Sequence, residues 1–381
     1  MSRRGDLMLR CALLVGTLAF LQLGGAQAQV LLSPQYFHAI GDGQADDTDA
    51  LNMWLGYLST HGQVGYCGAG TYRFSSPLIP RGGHYWGFSG VGAACHLLYT
   101  GASTTADLVT IGDGVTQYVG ATVGGFRISS STTMTGGAAL RFRQQYYYHV
   151  NRVTFDGNAL GNKKLWHGFW ADASSWGRWT TGNAYLQGDA VRATSGVELY
   201  LDDVQLIGNG PAGSSTGNGI HLGGGFGGLY TGHVAVGSYR FGLLVDTALV
   251  AAANNQLFVS NLTVFDGNTD AGVYLNDAVV GNKSLTMMGW VASTQAGNGI
   301  AIVNWASGTV NVTGAQVVSN SGSGVYVGDP SVVLSIDPST NLSNNVAYGV
   351  GASSPVTIYG APTHPFGNGS GNYHPNVTIV K

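Results

Sequence analysis

The stretch Val150-Asn151-Arg152-Val153-Thr154-Phe155-Asp156-Gly157-Asn158 carries apolar residues at 150, 153 and 155, breaks step at Asn151-Arg152 and ends on Gly-Asn. It reads as two short strands meeting at a polar corner, followed by a turn. The pattern returns in Phe258-Val259-Ser260-Asn261-Leu262-Thr263-Val264, with Gly267-Asn268 after it. A second landmark, Gly followed by alternating apolar residues, recurs at Gly168-Phe169, Gly196-Val197, Gly219-Ile220, Gly242-Leu243, Gly272-Val273, Gly299-Ile300, Gly324-Val325 and Gly349-Val350. The intervals are 28, 23, 23, 30, 27, 25 and 25 residues. Two or three short strands in every repeat of this length predict an all-β parallel solenoid, because one coil cannot bury its inward side chains without a neighbour. Roughly a dozen coils stacked at about 4.8 Å are expected. A propeller needs repeats of about 40 residues or more.

Composition agrees. Only 9% of the 381 residues are charged and 61 are glycine, against about 25% and 7% in ordinary domains. Nucleic-acid binders, coiled coils and acidic disordered tails need denser charge, so no nucleic-acid partner is expected. At the N-terminus, Arg3, Arg4 and Arg10 precede an apolar run from Cys11 to Leu23 and then Ala26-Gln27-Ala28. That three-part pattern predicts a signal peptide over 1–28, a secreted or periplasmic chain, and one domain over 29–381. The run is shorter than the roughly 20 residues of a spanning helix, and no membrane span is expected in the mature chain. Two cysteines remain after export, Cys67 and Cys95. They are either a disulfide or two inert thiols.

Open solenoid ends need covering. Asp46-Asp47-Thr48 offers helix-start chemistry, and Leu51, Trp54, Leu55 and Leu58 fall on one helical face before Gly62, which predicts a short N-terminal capping α-helix. At the far end, residues 330–381 hold six of the ten prolines and read as terminating coils.

The segment Gly41-Asp42-Gly43-Gln44-Ala45-Asp46-Asp47-Thr48-Asp49-Ala50-Leu51, with Gly68-Ala69-Gly70-Thr71-Tyr72 and Gly87-Phe88-Ser89-Gly90-Val91-Gly92 after it, resembles the opening of the pectate-lyase-like β-helix superfamily, in the branch shared with rhamnogalacturonase-type and phage-tailspike proteins. The resemblance covers about residues 34–100. It implies a right-handed single-stranded parallel β-helix, Cys67 and Cys95 about one coil apart and able to meet, and an extracellular polysaccharide as partner. It also implies that the acidic cluster at Asp42 to Asp49 is a structural start signal, so no metal or cofactor is assigned. Asn268-Thr269-Asp270 matches one polygalacturonase motif, but the later Asp pair, Gly-His-Gly and Arg-Ile-Lys are missing. Asp270 is therefore read as structural.

A charge on so sparse a scaffold calls for explanation. Between Arg141 and Asp203 lie seven basic and six acidic residues, together with Trp166, Trp170, Trp176 and Trp179, half of all tryptophans. Aromatic faces stack on sugar rings while carboxylates and guanidinium groups bond hydroxyls or uronates. Trp166, Trp170, Trp176, Trp179, Arg178, Lys164 and Tyr146 are the expected substrate contacts. Hydrolysis needs two carboxyl groups about 5 to 9.5 Å apart; Asp203 or Asp202 is the first, Asp203 ahead, and Asp156, Asp172 or Asp189 from a neighbouring coil is its partner. Elimination needs a base and a cation beside a uronate carboxylate; His149, His167 or Tyr146 is the expected base, and Arg141, Arg143, Lys164 or Arg178 the cation. Aspartate supply tips the expectation slightly toward a glycoside hydrolase over a polysaccharide lyase. The alternative is a non-catalytic carbohydrate-binding or surface-attachment β-helix.

Overall fold

The computed structural model describes residues 32–158, 165–209, 216–246, 256–362 and 365–381. The signal-peptide segment and Lys164 lie outside them. Short parallel strands stack coil upon coil on three faces. Face 1 (for example 199–202) and face 2 (204–208) are the two halves of strands that bend midway, such as Leu199–Gly208, and belong to one 20-stranded sheet. Face 3 is a separate 11-stranded sheet running from Val109–Ile111 to Gly371–Tyr373. This is a right-handed parallel β-solenoid of about 11 turns. Coils continue to Val377–Val380, so residues 330–381 add strands to the stack up to the last residues.

The bend between faces 1 and 2 is made by one residue in the left-handed region. Gly125, Arg152, Thr181 and Asp203, with φ of 66°, 50°, 52° and 54°, occupy it in successive coils. This is the corner legible at Asn151-Arg152. The Gly-apolar landmark is the entry to face 3, where Phe169, Val191, Ile220, Leu243, Val273, Ile300, Val325 and Val350 stand in register. Gly196-Val197 is not part of that row. The coil between Gly168 and Gly219 enters face 3 at Ala190-Val191, and Gly196 lies past the end of its face-3 strand, Val191–Thr194.

Packing explains why glycine recurs there. A Cβ on Gly299 would come 2.5 Å from Val317 Cγ1 and 2.8 Å from Asn320 Nδ2, a clash the close-packed interior cannot absorb. Asn320 is itself one rung of a buried amide ladder. Asn345 Oδ1 accepts from the Asn320 backbone N–H at 3.1 Å and side-chain amide at 2.9 Å, and Asn368 Oδ1 does the same for Asn345 at 3.0 and 3.1 Å. The ladder satisfies the polar groups of Asn320 and Asn345, which are fully buried.

The helix Thr48–His61 ends on Gly62 at φ 61° and buries Leu51, Trp54, Leu55 and Leu58, with Trp54 centred 5.0 Å from Phe88. Its start differs from the expectation. The Asp47 carboxylate accepts from the Ile40 and Gly41 N–H groups at 2.6 and 3.1 Å rather than from the helix, and Asp46 Oδ1 accepts from Thr48 N–H at 3.0 Å. Asp42 Oδ1 accepts from the Gln44 and Ala45 N–H groups at 2.8 and 2.9 Å. Asp42, Asp46 and Asp47 thus order the turn before the helix. Cys67 and Cys95 are bonded, with Cα atoms 5.8 Å apart.

Candidate functional site

Face 3 presents one outward row in which Thr110, Arg141, Trp170, Arg192 and His221 are register partners on successive strands. Such neighbours stand about 4.8 Å apart, so the row is continuous along the face. Arg141 bridges Asp107 and Asp172 at 2.7 and 2.6 Å. Asp172 also accepts from the Thr194 hydroxyl at 3.3 Å and stands 3.6 Å from Arg143. The indole of Trp170 lies between two guanidinium groups, with Arg141 Cζ 3.9 Å and Arg192 Cζ 4.5 Å from its centroid, and its N–H donates to Thr194 Oγ1 at 3.0 Å. Arg192 makes no hydrogen bond or ion pair among the described residues; its guanidinium lies over the indole.

At the entry to the same strands sits Asp189, buried between two imidazoles. It accepts from the Asn218 N–H and side-chain amide at 3.0 and 2.7 Å and from His221 Nδ1 at 3.0 Å. Burial opposes its charge, but the His221 hydrogen bond, the positive character of His221 and His167 and the Asn218 N–H outweigh it and hold the carboxyl below its ordinary range. An ionised carboxylate can only accept, so His221 Nδ1 carries a proton, and in the neutral ring Nε2 is the acceptor. Gly223 follows two residues on; a Cβ there would come 3.4 Å from Nε2, so glycine leaves that nitrogen room. His167 is held the other way round. Its Nδ1 accepts the Asp189 N–H at 2.9 Å, and its Nε2 therefore carries the proton. Burial pushes His167 below the usual imidazole range; Asp189 works against this, Arg192 and His221 with it. One buried carboxylate thus stands between a proton acceptor and a proton donor, with an unpaired guanidinium on the adjoining strand.

Of the sequence candidates, Asp172, Asp189, His167, Arg141, Arg143, Trp166 and Trp170 gather at face 3. The others are dispersed. Asp202 and Asp203 sit at the corner of faces 1 and 2, both exposed because the bend turns them the same way. There Asp203 stands 3.5 Å from His233 and accepts from the Thr181 hydroxyl at 3.1 Å, on a depression of about 350 Å³. Asp202 accepts from the His233 N–H at 3.0 Å. Asp156, at the end of face 2, pairs loosely with Arg127 at 3.8 Å. Arg178 lies on face 1 over Tyr200. Tyr146 and Trp176 are packed together at the corner of faces 3 and 1, where Trp176 stacks on Tyr147 at 5.0 Å. Two tryptophans depart from the role expected of them. Trp179 is fully buried, edge-on to Phe155, and is core. Trp170 has no free face to offer a sugar, since Arg141 and Arg192 cover it.

The family model described as the right-handed β-helix region matches residues 167–347. The chain has the right-handed parallel β-helix fold. Among solved structures, this β-helix is similar to the A-module of mannuronan C-5 epimerase AlgE6 of Azotobacter vinelandii, at 13% identity and a TM-score of 0.59 over 91% of this chain and 97% of that one. It is similar to the Dettilon tailspike protein at 13% identity and TM-score 0.56, over 87% and 70% of the two chains. The catalytic domain of a GH87 α-1,3-glucanase in complex with nigerose gives 11% identity and TM-score 0.58, over 94% and 69%. Comparison with curated protein sequences returns no match.

Arg192 and His221 were given no role in the sequence reading of the site, and Asp189 entered it only as a partner carboxyl group for hydrolysis. A signal for two of them exists: Trp170, Arg192 and His221 each stand two residues after the face-3 entry positions Gly168, Ala190 and Gly219. Taking Gly196 as the landmark hides that alignment.

Proposed function

We propose that this β-helix is a polysaccharide-active enzyme that removes the proton α to a uronate carboxylate and cleaves by β-elimination on face 3. The observation that carries it is the Asp189–His221 pair beside unpaired Arg192. Arg192 binds the uronate carboxylate and takes up the charge that develops on it. His221 Nε2 accepts the C5 proton, with the buried carboxylate stabilising the imidazolium. The C4–O bond breaks, the leaving oxygen takes the Nε2 proton of His167, and an unsaturated uronate remains. Hydrolysis fits less well. Asp107 and Asp172 are both tied to Arg141, and Asp189 is enclosed, whereas hydrolysis needs one carboxyl group to protonate and another to meet water or sugar. Solved neighbours that include a mannuronan epimerase and an α-1,3-glucanase support a polysaccharide substrate. The signal pattern of residues 1–28 and the Cys67–Cys95 bond support action outside the cytoplasm.

The test is incubation of the chain with alginate, polygalacturonate and α-1,3-glucan, read by ultraviolet absorbance of unsaturated uronates, by reducing ends and by NMR of the sugar ring. Unsaturated product from an acidic polymer is expected. Reducing ends without absorbance, inversion at C5 without cleavage, or binding without any product would each overturn elimination.

A further inference from the structure

Beyond Arg141, face 3 continues into a depression of about 520 Å³ whose lining includes Thr110, Arg81, Arg143, Asp107 and Asp113. Its carboxylates are already committed. Asp107 accepts from the Ala138 N–H at 2.9 Å and from Arg141 at 2.7 Å. Asp113 accepts from the Val115 and Thr116 N–H groups at 2.8 Å each, from the Thr116 hydroxyl at 3.0 Å and from Tyr118 at 3.3 Å. Backbone N–H groups of Thr116 and Val115 lead in holding it ionised, down to about 2.

The guanidinium groups are not committed in this way. Arg81 is exposed and makes no hydrogen bond or ion pair among the described residues. Arg143 meets Asp172 only through Nε at 3.6 Å, beyond hydrogen-bond reach, and 40% of its side chain is exposed. Gly114 gives it room, since a Cβ there would come 2.5 Å from Arg143 Cζ. Engaged acceptors beside spare, planar donors suit an anion. Thr110, Arg141, Trp170, Arg192 and His221 follow one another on adjacent strands, so the depression lies about 19 Å from His221 along the face.

We infer that this depression is a distal subsite for an anionic substituent, carboxylate or sulfate, of an acidic polysaccharide whose chain runs along face 3 to His221. The inference rests on the reading of face 3 as the reactive surface and adds the charge of the polymer and the length it must have. The ligand spans several sugar rings, and a short oligomer held at His221 does not reach Arg81.

The experiment is calorimetric binding, not turnover, with the full chain and its Arg81→Ala and Arg81→Lys variants. The probes are disaccharides and octasaccharides of galacturonate and of alginate, with a sulfated glucan octasaccharide to separate sulfate from carboxylate. Arg81→Ala is expected to weaken a carboxylated or sulfated octasaccharide about tenfold, the worth of one charged hydrogen-bond contact, and to leave disaccharides unchanged. Arg81→Lys is expected to restore most of the loss. Unchanged octasaccharide affinity, equal loss at both lengths, or no binding of any acidic oligomer by the parent chain overturns the subsite. In the last case, cleavage of a neutral polymer that depends on His221 would keep face 3 as the reactive surface and remove only this inference. Length-dependent binding without turnover would do the reverse.

Discussion

Face 3 and the corner between faces 1 and 2 are built by the same coils and carry similar charged residues, yet they do different things with them. On face 3, Arg141, Trp170, Arg192 and His221 follow one another on neighbouring strands; Arg141 and Arg192 sandwich Trp170, and His221 bonds buried Asp189. At the corner, Arg152, Thr181 and Asp203 each supply a left-handed bend, and their side chains point away from the rod. Asp203 is 61% exposed and His233 67%. Exposed pairs of that kind contribute little, because water screens them. A charged residue in this fold therefore gains chemical meaning from the face it occupies rather than from the local density of charge in the sequence.

The contrast can be broken by substitution. His221→Gln is expected to lower turnover of an acidic polymer by about 10²- to 10⁴-fold with little change in unfolding temperature, while His233→Gln at the corner leaves turnover within about twofold; a reversed order would move the reactive site to the corner. Trp179→Ala, in the core beneath both regions, should cost about 3 to 5 kcal/mol of stability in denaturant unfolding, whereas Trp176→Ala, at a surface stack, should cost about 1 kcal/mol.

Acid provides a third separation. His167 and Asp189 both have folded-state values below their ordinary ones. The His167 contribution is present above about pH 6.5 and is lost as pH falls below it; the Asp189 contribution is present above about pH 3.9 and is lost below that. Unfolding temperature should thus decline on acidification in two stages, and His167→Gln should flatten the upper one. A slope unchanged in that variant would detach His167 from the network. The smallest effect is expected from Asp203→Ala, with turnover unchanged and stability within about 0.5 kcal/mol. Loss of activity there would restore Asp203 to the catalytic role that sequence spacing alone gave it.

Much of the fold was legible because its causes are local and repeated. Period-two apolar residues, a polar corner and a glycine entry recur at near-constant spacing, and each has a direct packing reason in the structure, such as Gly299 beneath Val317 and Asn320. The candidate site was legible only in outline. The window from Arg141 to Asp203 contains most of the face-3 network, but it also contains Trp179, which is core, and Asp202 and Asp203, which are at the corner. His221 lies outside it. Window density counts residues along the chain, whereas the network is assembled across it, from residues 22 to 32 positions apart.

The sequence by itself determined that this chain stacks short parallel strands, because hydrophobic periodicity and turn chemistry act within a few residues. Only the tertiary structure decided which charges meet. Register between coils brings Asp189 to His221 and Arg192 to Trp170, and register depends on the number of residues in every intervening turn. A substitution of Ala190 for glycine in one coil was enough to disguise that register in the sequence, while the packed strands preserve it.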